Sequence, residues 1–177
     1  RDPEFRSYIW LLTGATLVVT ILLVDDDMGL ARALRSAAFN VVTLGTSGGF
    51  GNATGPGSDG DFVRWAAGPQ LILLILLMSG GCTGSTSGGV KVMRLIVGLS
   101  HARRTLRGVR HPRAVLPVRH GTGVMAEPLV ERIAGFMVVY GMLVGLGTLV
   151  VAALGTDLVT ALGGVIGSLG NMGPALN

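Results

Sequence analysis

Apolar residues fall along this chain in blocks rather than in alternation. Tyr8 to Val24 is a run of about 17 uncharged residues closed by Asp25, Asp26 and Asp27, at the lower limit for crossing a hydrocarbon core roughly 30 Å thick. Ile133 to Leu154 is a second uncharged run, rich in Val, Leu, Met and Gly, and its length spans such a core comfortably. Both predict membrane helices. Neither reads as a cleavable secretory signal, because the first is too long and lacks a small-residue cleavage pattern and the second is internal.

A third apolar stretch behaves differently. Ala66 to Ser79 supplies about 14 residues, roughly 21 Å at helical rise, before the ten residues Gly80 to Gly89 (GGCTGSTSGG). Val90 to Leu99 then resumes an apolar pattern interrupted by Lys91 and Arg94, so the two pieces read as one crossing broken in the middle. Irregular backbone facing lipid would leave N–H and C=O groups unpaired at several kcal/mol each. A break at this depth is therefore buried in protein or faces water.

Composition agrees with a bilayer solvent: 49% hydrophobic residues, 14% charged and a mean hydropathy of +0.62. The 29 glycines show no collagen-like period and no polar low-complexity tract, so they serve folded structure. One cysteine, Cys82, excludes an intrachain disulfide framework, and with three scattered histidines it argues against a zinc site.

The net charge of +4 could suggest nucleic acid, but eight of the 14 Lys and Arg residues cluster between Lys91 and Arg119, without one Asp, Glu or aromatic residue. Such a block between apolar spans marks a cytoplasmic segment near anionic lipid. Asp25 to Asp27 then lie outside, and Arg6 and Arg132 sit at the inner ends of upward helices. Two segments, Leu30 to Phe50 and Leu158 to Pro174, begin and end on the outer side and are too short to cross.

These two segments echo each other. Each follows an apolar span and a short acidic connection, holds about ten helix-compatible residues, and then turns glycine-rich: Thr43-Leu44-Gly45-Thr46-Ser47-Gly48-Gly49-Phe50 and Ser168-Leu169-Gly170-Asn171-Met172-Gly173-Pro174. A half-helix entering from outside points its negative, carbonyl-rich end toward mid-membrane. Glycine turns beside it can offer backbone carbonyls, with the Thr46 and Ser47 hydroxyls, in place of an ion's hydration shell. No carboxylate lies in either turn, which favours a dehydrated monovalent cation, with potassium ahead of sodium. The unit of span, half-helix and turn keeps its following downward span only in its first copy, so the chain reads as truncated.

The run Gly80-Gly81-Cys82-Thr83-Gly84-Ser85-Thr86-Ser87-Gly88-Gly89-Val90-Lys91-Val92-Met93-Arg94 closely resembles the signature of the bacterial Trk/Ktr potassium-transporter membrane subunits. Phe39-Asn40-Val41-Val42 leading to Gly49-Phe50 resembles that family's third pore loop, and Leu169 to Pro174 its fourth. The resemblance implies an all-α membrane protein of repeated helix, re-entrant pore loop, helix units around one pore. This chain would be the third repeat (1–99, with a broken second helix), a basic cytoplasmic linker (100–126) and most of the fourth repeat (127–177).

The resemblance further implies potassium uptake across the bacterial inner membrane, as a multi-pass protein whose transported ion is K+ and which needs no bound cofactor. The selectivity filter would comprise Thr46, Ser47, Gly48, Gly49 and Phe50 with Asn171, Met172, Gly173 and Pro174, placing K+ at Gly49 and Gly173. Gly48 departs from the family pattern, which usually has a hydroxyl residue there. Glycine at both filter positions favours potassium, since serine substitution is associated with sodium passage. Gly80 to Gly89 would form an intramembrane gate loop, with Lys91 and Arg94 at the inner mouth or as snorkelling anchors. The implied partners are the bilayer, a second copy in a homodimer, and a cytosolic nucleotide-binding (RCK/TrkA-like) regulatory subunit.

Other readings are weaker on the residues. Gly84 to Lys91 superficially resembles a phosphate-cradling loop, but Val90 separates the last glycine from Lys91 and Val92 follows it where Ser or Thr is needed. Cys82 lacks a base, because His101, His111 and His120 fall in the basic segment where they are expected to be solvated, and a lone buried Cys is commonly a packing residue. A sodium-permeable relative and a non-conducting scaffold of packed helices are the remaining alternatives. Gly141-x-x-x-Gly145 and Gly163-x-x-x-Gly167 are expected to mediate helix contacts.

Overall fold

The computed structural model describes residues 3–26, 28–55, 57–110, 119–120 and 123–173. Six helices follow one another: α1 (Pro3–Asp25), α2 (Leu30–Gly45), α3 (Ala67–Ser79), α4 (Val92–Arg110), α5 (Glu127–Ala153) and α6 (Leu158–Leu169). A single 3-10 turn (Phe62–Arg64) precedes α3, and two two-residue strands, β1 (Arg119–His120) and β2 (Gly123–Val124), pair antiparallel before α5. The architecture is an all-α, membrane-spanning bundle.

Length sorts the helices. α1 and α5, of 23 and 27 residues, rise roughly 34 and 40 Å, enough to cross the hydrocarbon core. α2, α3 and α6, of 16, 13 and 12 residues, reach only about 24, 20 and 18 Å and stop short of crossing. Each long helix turns back through a short connection into a half-helix that packs on it, α2 against α1 and α6 against α5. α3 bridges the two units by touching α1, α2 and α6, while α4 lies along α5 and also meets α1.

The core sits where α1, α2 and α3 meet. Ala33, Ala37 and Val41 recur every four residues on one face of α2 and are fully buried, their small side chains admitting Val19 and Leu23 of α1 and Leu73, Leu76 and Leu77 of α3. Leu12 of α1 reaches so close to α2 that a Cβ on Gly45 would stand 2.5 Å from its Cδ2. The outward rows of α1 (Ile9, Trp10, Leu17, Ile21) and α5 (Val139, Leu143, Leu146, Val150) are exposed and apolar, as a helix face toward lipid or another membrane helix must be.

The elements follow the hydrophobic blocks with three differences. α5 begins at Glu127, six residues before its apolar run, because Pro128 opens the helix and Glu127 pairs in a bidentate manner with Arg104 of α4. The basic stretch is helical as far as Arg110, since Ala, Leu and Arg carry high helix propensity and Leu95, Ile96 and Val97 pack inward. The Gly141 and Gly145 pair makes no helix contact: no described atom lies within 4 Å of a Cβ built on either. The close approach in α5 falls at Gly147, where a Cβ would meet Val165 of α6 at 2.9 Å, while Gly163 and Gly167 are buried in α6.

α6 carries a side-chain cap. Asp157 accepts hydrogen bonds from the Thr160 hydroxyl (2.6 Å) and the Thr160 N–H (3.0 Å), satisfying an otherwise orphaned donor of the first turn. These bonds hold the Asp157 carboxyl below the ordinary aspartate value. Asp157→Ala is expected to lower the thermal transition of the detergent-solubilised protein. Because the folded pKa is depressed, the cap's contribution is complete above the ordinary aspartate range and fades as pH falls through it. The gap in melting temperature between wild type and Asp157→Ala should therefore hold from pH 7 to 5 and close below about pH 4.

Candidate functional site

The two half-helices end in the same hydrogen-bonded cap. At the end of α2, Thr46 N–H donates to Val42 O (2.9 Å), Ser47 N–H to Leu44 O (3.3 Å) and Gly48 N–H to Thr43 O (2.7 Å). With Ser47 at φ 61°, this is the Schellman pattern, in which a left-handed residue folds the chain back over the last carbonyls. At the end of α6, Gly170 N–H donates to Ile166 O (2.8 Å), Asn171 N–H to Ser168 O (3.1 Å) and Met172 N–H to Gly167 O (2.8 Å), with Asn171 at φ 54°. Ser47 thus corresponds to Asn171, Gly48 to Met172 and Gly49 to Gly173. Pro174 lies outside the described residues.

The cap also sorts donors from acceptors. Gly49 N–H reaches Thr43 O (3.4 Å) and Phe50 N–H reaches Thr43 Oγ1 (2.8 Å), so all five N–H groups from Thr46 to Phe50 turn back toward α2. Among the described residues, no donor reaches the carbonyl oxygens of those five residues. Carbonyls left over at the negative end of a helix form a cation environment and repel anions. Ser47 Oγ adds a buried oxygen with no described partner, while the Thr46 hydroxyl donates to Val42 O (2.8 Å) and keeps its lone pairs. Holding Ser47 in the left-handed region costs on the order of 1–2 kcal/mol, which the cap's hydrogen bonds offset.

Two side chains outside the expected filter residues hold the turn after α2. Thr43 accepts three of its N–H groups, as described, and its Oγ1 lies 3.2 Å from where a Cβ on Gly48 would be, so the Thr43 hydroxyl already fills the space beside residue 48. Tyr8, buried in α1, donates its hydroxyl to Gly45 O (2.9 Å) and fixes the last carbonyl of the helix. In the sequence Thr43 only opens the glycine-rich motif, and Tyr8 is only the first residue of a span. Only their distance to α2's last turn reveals the role.

The segment between α3 and α4 is non-helical, as its glycines predict, and it is tightly folded. Val90 N–H donates to Met78 O (3.1 Å) and Val92 N–H to Gly81 O (3.2 Å), closing its neck. Gly80, Gly84 and Gly89 take left-handed φ values of 66°, 84° and 77°, and a Cβ on Gly80 would stand 2.2 Å from Gly88 O. Three further contacts fix the loop. Glu4, buried in the first turn of α1, accepts from Thr83 N–H (2.7 Å) and the Thr83 hydroxyl (3.0 Å). Cys82 packs against the main core. On the other side, the Gly88 backbone lies against Gly170, the first residue of the α6 cap, with a built Cβ only 2.1 Å from its carbonyl oxygen. The loop therefore sits directly against the turn after α6.

Lys91 and Arg94 are both half-buried in protein contacts. The Arg94 guanidinium stacks over the Phe136 ring of α5 at 4.4 Å, and its Nη1 donates to Val90 O at 3.5 Å. Lys91, at φ 73°, turns its ammonium back into the loop onto oxygens of Ser85 and Ser87. His101 is half-buried beside Arg104, its Nδ1 3.1 Å from a guanidinium nitrogen, rather than fully solvated. His111 and the His120 side chain lie outside the described residues. Among the described residues no cluster of three His, Cys, Asp or Glu side chains forms, so the oxygens offered at the turns are backbone and hydroxyl oxygens.

Comparison with known proteins places this geometry in a family. The profile of the TrkH family, described as cation transport proteins, matches residues 7–176. The chain is 34% identical over 177 residues to a Trk system potassium uptake protein TrkH of Halomonas elongata, covering 99% of this chain and 35% of that protein. Against the TrkH of Salmonella typhimurium the identity is 31% over 178 residues, again 99% of this chain and 35% of the relative. The crystal structure of the potassium transporter TrkH from Vibrio parahaemolyticus superposes with a TM-score of 0.86 at 31% identity, over 99% of this chain and 36% of that one. The chain thus spans about a third of the length of these relatives, and it belongs to the TrkH family of cation transport proteins.

Proposed function

We propose that this chain forms the third repeat and most of the fourth in a four-repeat pore that takes up potassium across a bacterial inner membrane. In this reading 1–99 and 127–177 are the two repeats, and 100–126 is the cytoplasmic connection between them. The observation that carries it is the matched pair of caps, which turns N–H groups inward at both half-helices and puts Gly49 and Gly173 in the same register. The carbonyls of Thr46 to Phe50 and of Asn171 to Pro174 then line a filter that replaces the hydration shell of K+. The loop Gly80 to Gly89 lies just inside it as a gate. The potassium-uptake relatives support the choice of ion.

Two partners are proposed from the family resemblance. The exposed apolar row of α5 suits a second copy of the protein within the bilayer. The basic end of α4, with Arg103 and Arg107 exposed, suits a cytosolic nucleotide-binding regulatory subunit approached from the inner side.

Gly173 is the cleaner of the two filter positions to test. No described atom lies within 4 Å of a Cβ there and its φ is not left-handed, whereas Gly49 is held at φ 72° where any side chain is strained. Gly173→Ser in the complete transporter is expected to lower the K+ over Na+ preference about tenfold, ~1.4 kcal/mol, in liposome flux assays. An unchanged flux ratio, with folded protein confirmed, removes the filter assignment. Deleting Gly84 to Ser87 at the tip of the loop should raise basal K+ flux severalfold, and unaltered flux would remove the gate.

A further inference from the structure

Lys91 is an unusual lysine. It occupies a left-handed backbone position, φ 73°, within two residues of Gly89 at φ 77°. Its ammonium reaches Ser85 O (2.9 Å), Ser85 Oγ (3.1 Å), Ser87 Oγ (3.2 Å) and, more closely still, Ser87 O. Among the described residues it forms no ion pair, and the carboxylate that touches this loop, Glu4, is bonded to Thr83. The positive charge is therefore held by two backbone carbonyls and two hydroxyls, all neutral.

That ligand set is the one a dehydrated alkali cation uses. Neutral carbonyl and hydroxyl oxygens suit K+ or Rb+, while Mg2+ and Ca2+ call for carboxylates. An ammonium has three N–H donors and meets four oxygens here, so at least one donor is shared, whereas a spherical ion of similar size engages all four without directional demand. The two serines are also linked to each other, Oγ to Oγ at 3.1 Å, and to the loop backbone through Ser85 Oγ to Cys82 O (2.6 Å) and Gly81 N–H to Ser87 Oγ (2.7 Å). The cluster is thus preorganised by bonds that do not involve Lys91. Ser85 is exposed while Ser87 and Lys91 are half-buried, leaving one side open to water.

We propose that the Ser85 and Ser87 oxygens form a monovalent alkali-cation site inside the loop, which the Lys91 ammonium fills in the conformation described here and vacates when the loop opens. The lysine acts as a tethered cation. Its departure removes a positive charge from the path and exposes four oxygens that a permeating ion can use in its place. Entry of the ion and release of the lysine are mutually exclusive with their reverse, so the permeant ion itself favours the open loop. This rests on the gate reading of the preceding subsection for its consequence, but the ion site stands on the loop's own geometry.

The test uses the complete transporter. Crystals of Lys91→Met grown or soaked in Rb+ are expected to show an anomalous peak among Ser85 O, Ser85 Oγ, Ser87 O and Ser87 Oγ, and wild type in the same Rb+ should show none. The Ser85→Ala/Ser87→Ala double variant on the Lys91→Met background should lose the peak. An ordered loop in Lys91→Met without a peak overturns the site. Should Lys91→Met not fold, the wild type answers the question: acylation of the Lys91 amine, read by mass spectrometry, is expected to run severalfold faster in Rb+ than in choline at equal ionic strength, and equal rates overturn the proposal. The loop deletion separates the two readings. A Rb+ peak with unaltered flux after deletion removes the gate and leaves the site, whereas raised flux after deletion with no peak removes the site and leaves the gate.

Discussion

Inside a hydrocarbon core every backbone N–H and C=O must find a partner within the protein or in a wet cavity, and a helix that stops short of crossing leaves its last carbonyls without one. Three helices here are too short to cross such a core, α2, α3 and α6, and each end is resolved differently in detail but alike in principle. At α2 and α6 the following residues donate back into the helix through the same cap, and among the described residues no donor reaches the carbonyls of Thr46 to Phe50. At α3 the chain closes a neck between Met78 and Val90 and folds a polar loop beyond it. Donors are consumed first at both caps, so what remains at the α2 turn is oxygen, from backbone carbonyls and the Ser47 hydroxyl.

The two units share that logic but not their support. α2 exceeds α6 by one helical turn and is anchored beneath by Tyr8 on Gly45 O, whereas Tyr140 of α5 is buried beside the corresponding unit with no described partner for its hydroxyl. Thr20 in α1 back-bonds to Thr16 O, while Thr148 in α5, likewise buried, has no described partner. α6 has in exchange an aspartate cap at its outer end and a backbone contact from the loop at its inner one. A repeat whose members are held by different contacts can keep a common turn geometry and still respond differently when one wall moves.

What the sequence made legible was set by hydrophobicity and glycine. The span from Tyr8 to Val24, the half-helices and the interruption at Gly80 to Gly89 all follow from where apolar runs begin and stop, because lipid enforces that pattern over many residues. Side chains that act across sequence were not legible. Glu4 sits ahead of the apolar run like an ordinary flanking charge, and nothing in its neighbours shows that Thr83 will be its partner 79 residues away. Gly141 and Gly145 matched a packing motif by spacing, yet the contact falls at Gly147, because which face of a uniformly apolar helix meets its neighbour is decided by the neighbour. The usual tendency of lysine to reach for water loses at Lys91 to two carbonyls and two hydroxyls of its own loop.

Gly88 of the loop and Gly170 at the end of α6 meet backbone to backbone. With a built Cβ only 2.1 Å from the Gly170 oxygen, the two backbones leave no room for a side chain between them, and close-packed surfaces pass on displacement instead of absorbing it. Gly170 opens the cap that orients Asn171, Met172 and Gly173, while Gly88 lies one residue from Ser87 in the oxygen cluster around Lys91. A rearrangement of that cluster that moved Gly88 would press on the first residue of the α6 cap, because the two backbones lie too close for either to shift alone.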